Sequence, residues 1–238
     1  MSNSDKIKGI IFDYGGTIDT NGKHWAEVLW SKYCKFNVPI DKNSFKGAYV
    51  HGERTLALQP LIKPEHNFYD VLLIKVQIQV SYLIDKRLLP DTPKVRGYSE
   101  LIAESCYDFV LDTIKTAIPT LDLLNKKYKL VLVSNFYGNI HQVLKDFNLL
   151  CYFEDIIESS VVGVRKPDPA IFTLGVNALR LKPEEVVVIG DSFSKDILPA
   201  KKAGCLTVWL KGIGWEEITD ESQADMVISD LSELRKFA

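Results

Sequence analysis

The sequence predicts an α/β fold, a doubly wound Rossmann-like parallel sheet with a mainly helical cap inserted after its first strand. Three observations carry this. Short apolar runs rich in branched residues recur along the chain, helical patterns fall between them from Leu130 onward, and more than 100 residues separate the first run from the next. A single crossover helix needs far fewer residues than that, so a second unit must interrupt the sheet.

Residues 7–12, 130–133, 186–189 and 206–210 read as strands buried on both faces, because they are apolar without alternation and bounded by polar or glycine signals. Residues 226–228 form a weaker fifth run. Ile140, Val143, Leu144 and Phe147 keep the one-face spacing of a helix, and Asp168 followed by Pro169 gives a cap and a first-turn proline before Ile171 and Phe172. A further helix starts near Asp196 and stops at Gly204, where glycine tolerates a left-handed residue. Inside the insert, residues 71–82 fit both patterns: Ile74, Val76, Ile78, Val80 and Tyr82 alternate as in a strand, while Val71, Ile74, Ile78 and Tyr82 share a helix face. Length and the shortage of turn residues favour the helix. The expected organisation is residues 1–19 as the first strand and its loop, 20–112 as the helical cap, and 113–238 as the rest of the α/β core.

The 238 residues are 46% hydrophobic and 25% charged, ordinary values for a packed globular chain. The 29 basic and 31 acidic side chains give a net charge of −2, which removes the electrostatic case for nucleic acid. The polar residues 1–8 and the short apolar run after them do not make a secretory signal. The long apolar stretch 71–84 is interrupted by Lys75, Gln77 and Gln79, so no membrane span is expected. Cys34, Cys106, Cys151 and Cys205 show neither a zinc-binding nor a redox spacing and read as buried thiols of a cytoplasmic protein. Oligomeric state is not legible.

Three strong strands end in a polar residue: Phe12 leads to Asp13, Val133 to Ser134, and Ile189 to Gly190 and Asp191. In an open parallel sheet the carboxyl ends of the strands converge on one crevice, so these side chains should meet. Two carboxylates and a hydroxyl at one point equip the crevice for a divalent cation with oxygen ligands and for an anionic substrate. Any one of them alone reads as a cap or turn residue. Lys166 alone reads as a solvated lysine, and Asp196 as a helix cap.

The ordered set Asp13-Tyr14-Gly15-Gly16-Thr17, Val131-Leu132-Val133-Ser134-Asn135, Arg165-Lys166-Pro167, and Gly190-Asp191-Ser192 with Asp196 resembles the motifs of the haloacid dehalogenase-like hydrolases, in particular the helical-cap, phosphatase-like members. The resemblance implies a small phosphorylated substrate and Mg²⁺ held by Asp13, Asp191 and the main-chain carbonyl of Gly15. It implies Asp13 as nucleophile, Lys166, Ser134, Asn135 and Thr17 around the phosphoryl group, and Asp196 beside the metal or Lys166. Gly15 departs from the pattern. Family phosphatases carry there an aspartate that protonates the leaving group, assistance typically worth ~10²–10⁴ in rate.

Three outcomes follow from Gly15: esters whose leaving group needs no proton, an acid borrowed from Asp19 or His24, or lost turnover. His24 and His51 otherwise read as incidental. Phosphonate-cleaving relatives also lack the second aspartate and use a cap lysine, for which Lys42, Lys46 and Lys63 are candidates. Dehalogenases lack it too but use no metal, which the Gly190-Asp191 pair disfavours. A phosphate-binding protein without turnover is the alternative of another class.

Overall fold

The computed structural model describes residues 6–212 and 222–237; residues 1–5, at the polar start noted above, lie outside them. In chain order the elements are β1 (Gly9–Phe12), α1 (Trp25–Lys35), α2 (Lys42–Leu58), α3 (Phe68–Asp85), α4 (Pro93–Arg96), α5 (Tyr98–Asn125), β2 (Lys129–Ser134), α6 (Ile140–Asp146), β3 (Asp155–Glu158), α7 (Ser159–Val162), α8 (Ala170–Leu179), β4 (Val186–Gly190), α9 (Leu198–Lys202), β5 (Leu206–Leu210) and β6 (Met226–Ile228). The six strands form one parallel sheet in the order β3-β2-β1-β4-β5-β6.

The chain builds outward from β1 in one direction and then in the other, so the crevice at the switch of strand order lies beyond the carboxyl ends of β1, β2 and β4. Phe12 pairs in register with Leu132 and with Ile189, which brings the ends of these three strands to nearly one level. The pleat sends Ile10, Phe12, Leu130 and Leu132 to one face, where Val110, Leu121, Val143 and Leu144 of α5 and α6 complete the layer. Ile11, Val131, Val133 and Val188 pack on the other face against Ile171, Phe172 and Val176 of α8. Burial on both faces is why these strands carry continuous apolar runs.

Helices α1 to α4 and the start of α5 lie in the insert between β1 and β2. Residues 71–82 are helical, within α3, which begins with reciprocal hydrogen bonds between Asn67 and Asp70. Its buried face, Val71, Leu72, Lys75, Val76, Gln79 and Val80, packs against α2 and α5. The boundary expected between residues 112 and 113 falls inside α5, which runs unbroken from the cap to the start of β2.

Several local expectations change. β1 starts at Gly9 rather than residue 7, and β3 was not signalled at all. The helix expected from Asp196 begins with a π-helical turn, Phe193–Ile197, and continues as α9; Gly204 then takes φ +87°, the left-handed stop. Asp168 accepts from the Ala170 amide at 2.9 Å, with Pro169 at the cap position rather than inside the first turn. Cys106 and Cys205 are buried, whereas Cys34 and Cys151 are exposed, because each lies on the outer side of its element. Among the described residues no helix is long and apolar enough to cross a membrane.

Candidate active site

Asp13 follows β1 directly, and its amide still donates to the Ile189 carbonyl at 2.9 Å, so the sheet ladder fixes where its side chain emerges. The chain then turns back: the Thr17 and Ile18 amides donate to the Tyr14 carbonyl at 3.2 and 2.9 Å. Gly16 has φ +97°, and a Cβ there would sit on the Asp191 carboxylate, so the turn demands glycine for backbone and for space. Gly190 is needed too, because a Cβ there would come within 2.5 Å of the Asp196 side chain. Both glycines let carboxylates crowd against backbone.

The crowding is pronounced. Lys166 Nζ donates to Asp13 Oδ1 at 2.5 Å and to Asp196 Oδ1 at 2.7 Å, with all three side chains buried. Oxygens of Asp13, Asp191 and Asp196 lie within 4.8 Å of one another. Thr17 Oγ1 is 3.2 Å from Asp13 Oδ2 and 3.4 Å from Asp191 Oδ1, so its single proton serves one of them at a time. Asp196 Oδ2 accepts from the Ser192 amide at 3.0 Å, and Ser192 Oγ from the Lys195 amide at 3.3 Å. Asp196 is thus tied to the turn after β4 and to Lys166.

Electrostatics follow from one cation among three carboxylates. Burial pushes the Asp13 carboxyl up to about 6, opposed by Lys166. Asp191 is held well above the usual carboxylate range, first by burial and then by Asp13 and Asp196. Burial works against the charge of Lys166, but Asp13 and Asp196 outweigh it and hold the ammonium above its ordinary value. The site carries an excess of negative charge that a divalent cation would relieve.

Ser134 is buried at the end of β2 and lines the crevice with Asp13, Gly15, Lys166, Asp191 and Asp196. Asn135 lines it too, but its amide is engaged at both ends with the Lys166 backbone, at 2.9 and 3.0 Å, which makes it a positioning residue for the lysine. Asp19 is buried beside the crevice and accepts from the Gly16 amide at 2.6 Å and from Trp25 Nε1, at the start of α1, at 2.9 Å. Burial raises its carboxyl to about 7 despite these bonds. His24 is not incidental: its Nδ1 caps α1 through the Ala26 amide at 3.2 Å, and the ring lines the crevice. Burial lowers its pKa, with Lys195 acting in the same direction. His51 stacks on Tyr82, with ring centroids 4.8 Å apart.

The crevice, about 650 Å³, lies between the strand ends and the cap. Lys42, Lys46 and Lys63 are exposed and do not line it; Lys75 does, buried and paired with Glu53 at 2.8 Å. Lys75 breaks the apolar run of α3 while sharing its buried face with Val71, Leu72, Val76 and Gln79. That spacing was the signal in the sequence for an inward-facing lysine.

The family model described as haloacid dehalogenase-like hydrolase matches residues 7–204, which contain every residue of this cluster. The chain belongs to the haloacid dehalogenase-like hydrolases. A phosphoglycolate phosphatase of Shigella boydii is 31% identical over 253 aligned positions, covering 98% of this chain and 93% of that one. A glyceraldehyde 3-phosphate phosphatase of Pyrococcus furiosus is 40% identical over 85 residues, about a third (35%) of either chain. Among solved structures, a family phosphatase from Thermococcus onnurineus is 26% identical with TM-score 0.54, covering 97% of both chains. A family hydrolase of Bacillus subtilis, solved bound to magnesium, shares the fold at 18% identity with TM-score 0.59 over 97% of both chains.

Proposed function

We propose that this hydrolase cleaves phosphate monoesters of small molecules, with Asp13 as nucleophile and Mg²⁺ in the carboxylate cluster. The observation that carries the reading is the placement of buried Asp13, Lys166 and Asp196 and half-buried Asp191 within one cluster at the strand ends, open to the crevice. A phosphatase relative aligned over 98% of this chain supports the same reaction class.

Asp13 and Asp191, with the main-chain carbonyl of Gly15, would hold the cation, and Asp196 would hold Lys166 beside it. Bound there, Mg²⁺ would offset the repulsion between an anionic nucleophile and an anionic ester. A carboxylate oxygen of Asp13 forms a bond to phosphorus as the ester P–O bond breaks and the leaving group departs with the electron pair. Water then attacks the aspartyl phosphate, returning the carboxylate and releasing phosphate. Lys166, released in part from Asp13 as that charge is spent, follows the phosphoryl oxygens together with the Ser134 hydroxyl. Thr17 and Asn135 act on the carboxylates and on the lysine.

No acid stands at position 15, Asp19 accepts from the Gly16 amide and from Trp25 Nε1, and His24 Nδ1 accepts from the Ala26 amide as the cap of α1. Esters with good leaving groups are therefore the expected best substrates. Lys75 lines the crevice as an ion pair with Glu53 at 2.8 Å, whereas the imine chemistry of phosphonate cleavage requires a free amine.

The test is hydrolysis of p-nitrophenyl phosphate with Mg²⁺ by the purified protein and by Asp13→Asn. Activity that disappears in the variant is the expected result. Equal activity in both proteins, or none in either at any Mg²⁺ concentration, would remove the proposal.

A further inference from the structure

We propose that Asp19 is a positioning residue for the cation: its carboxylate, steadied by the Trp25 indole, grips the Gly15–Gly16 peptide unit and so fixes the direction in which the Gly15 carbonyl is offered to Mg²⁺. The inference rests on the Mg²⁺ site proposed above and deepens it.

This peptide unit is the one in the nucleophile turn that local sterics hold least. Flipping a peptide unit changes ψ of the residue before it and φ of the residue after it; here both are glycines, with no Cβ to oppose the change. Its neighbours are held by main chain: the Asp13 amide donates to the Ile189 carbonyl at 2.9 Å, and the Gly16 carbonyl accepts from the Gly22 amide at 2.7 Å. The Gly15–Gly16 unit is held by a side chain instead, because the Gly16 amide donates to Asp19 Oδ1 at 2.6 Å. The peptide bond is trans, so its N–H and C=O leave one rigid plane in opposite directions. Gripping the N–H therefore aims the carbonyl away from Asp19. Among the described residues no hydrogen bond ends on that carbonyl, and Gly15 lines the crevice.

Asp19 is itself fixed. It is buried, and its Oδ2 accepts from Trp25 Nε1 at 2.9 Å. The Trp25 ring packs against Phe68 with centroids 5.7 Å apart, and Phe68 meets the Tyr14 ring edge-on at 6.0 Å. Tyr14 precedes Gly15, so these contacts close a ring that leaves the turn at Asp19 and returns to it at Tyr14. The three carboxylates whose oxygens gather within 4.8 Å of one another are Asp13, Asp191 and Asp196, so Asp19 acts on the site through the peptide rather than as a ligand. Mg²⁺ demands near-ideal octahedral geometry, whereas Ca²⁺ accepts irregular ligand sets. Freeing the carbonyl should thus cost Mg²⁺ more than Ca²⁺, while removing a nearby negative charge should cost the two dications alike.

The experiment is isothermal titration calorimetry of the full chain without substrate, with MgCl₂ and separately with CaCl₂, on the wild type, Asp19→Ala, Asp19→Asn and Trp25→Phe. Asparagine keeps one acceptor oxygen in place of two, and Trp25→Phe keeps an aromatic ring and every charge while removing the Nε1 donor. The expected result is Mg²⁺ affinity lowered ~10–100-fold in Asp19→Ala and by less in Asp19→Asn and Trp25→Phe, with Ca²⁺ affinity lowered less than Mg²⁺ affinity in each. Equal losses for both cations in the two Asp19 variants with none in Trp25→Phe would show that Asp19 acts by charge alone and would overturn the inference. Mg²⁺ affinity unchanged in all three variants would overturn it as well, and in both cases Mg²⁺ binding by the wild type leaves the phosphatase reading standing. Trp25→Phe, the mildest change, decides the matter should the Asp19 variants not fold. A wild type that binds no Mg²⁺ would overturn this inference together with the cation site beneath it.

Discussion

On the proposed mechanism, Gly15 governs how the site handles a leaving group. A Cβ built there finds only Asp19 Oδ2, at 4.0 Å, so the turn has room for a side chain to start there, in contrast to Gly16 and Gly190. Gly15→Asp is therefore expected to raise kcat on alkyl phosphates by ~10²–10⁴, about 3–5 kcal/mol of barrier, and to change kcat on p-nitrophenyl phosphate far less. Parallel steady-state kinetics on the two ester types check this, and an equal gain on both would show that proton supply is not what glycine removes. Thiol reactivity gives a second test. Native protein treated with iodoacetamide should label Cys34 and Cys151 and spare Cys106 and Cys205, which are buried and pushed up to about 12 by that burial. Peptide mass spectrometry reads the pattern, and labelling of all four at one rate would contradict the packing.

The strands were legible in the sequence where burial on both faces imposed an unbroken apolar run, as at β1, β2, β4 and β5. β3 was not, because a four-residue strand with Asp155 and Glu158 at its ends offers only Ile156 and Ile157 as pattern. Glu158 is buried for a local reason: its carboxylate receives the Gly138 amide at 2.5 Å and the Ile140 amide at 3.5 Å at the start of α6. The core half of the site could be read from residues that end strands, since topology dictates where such residues converge. The cap half could not, because which face of α3 meets the crevice depends on how α2 and α5 pack around it. Ile11 tests the central strand. It is fully buried where β1 packs against α8, so Ile11→Ala is expected to cost about 2–5 kcal/mol in urea unfolding. A loss under about 1 kcal/mol would place it outside a packed core.

Charge balance couples the stability of the whole molecule to pH and to cations. A carboxyl whose folded pKa is raised contributes stability that is fully present below its unfolded value near 4 and is lost as pH rises through the folded value. For Asp13 and Asp19 that loss runs from about pH 4 to about 6 and about 7 respectively, and Asp191 adds a loss of the same sign. On the proposed mechanism, a divalent cation held by Asp13 and Asp191 would cancel the penalty there, and protons would compete with it once Asp13 is protonated. Mg²⁺ at a hundredfold its Kd should thus stabilise by about 2.7 kcal/mol near pH 8 and by much less near pH 5. Thermal unfolding with and without Mg²⁺ at the two pH values reads this directly; an increment independent of pH would mean that the cation binds elsewhere.

The most direct test of the account as a whole is acid quenching during p-nitrophenyl phosphate turnover, followed by peptide mass spectrometry. A single phosphoryl group on the peptide containing Asp13, absent from the Asp13→Asn protein, is the expected result. Turnover with no phosphoryl group on that peptide, or with the group on another residue, would contradict it.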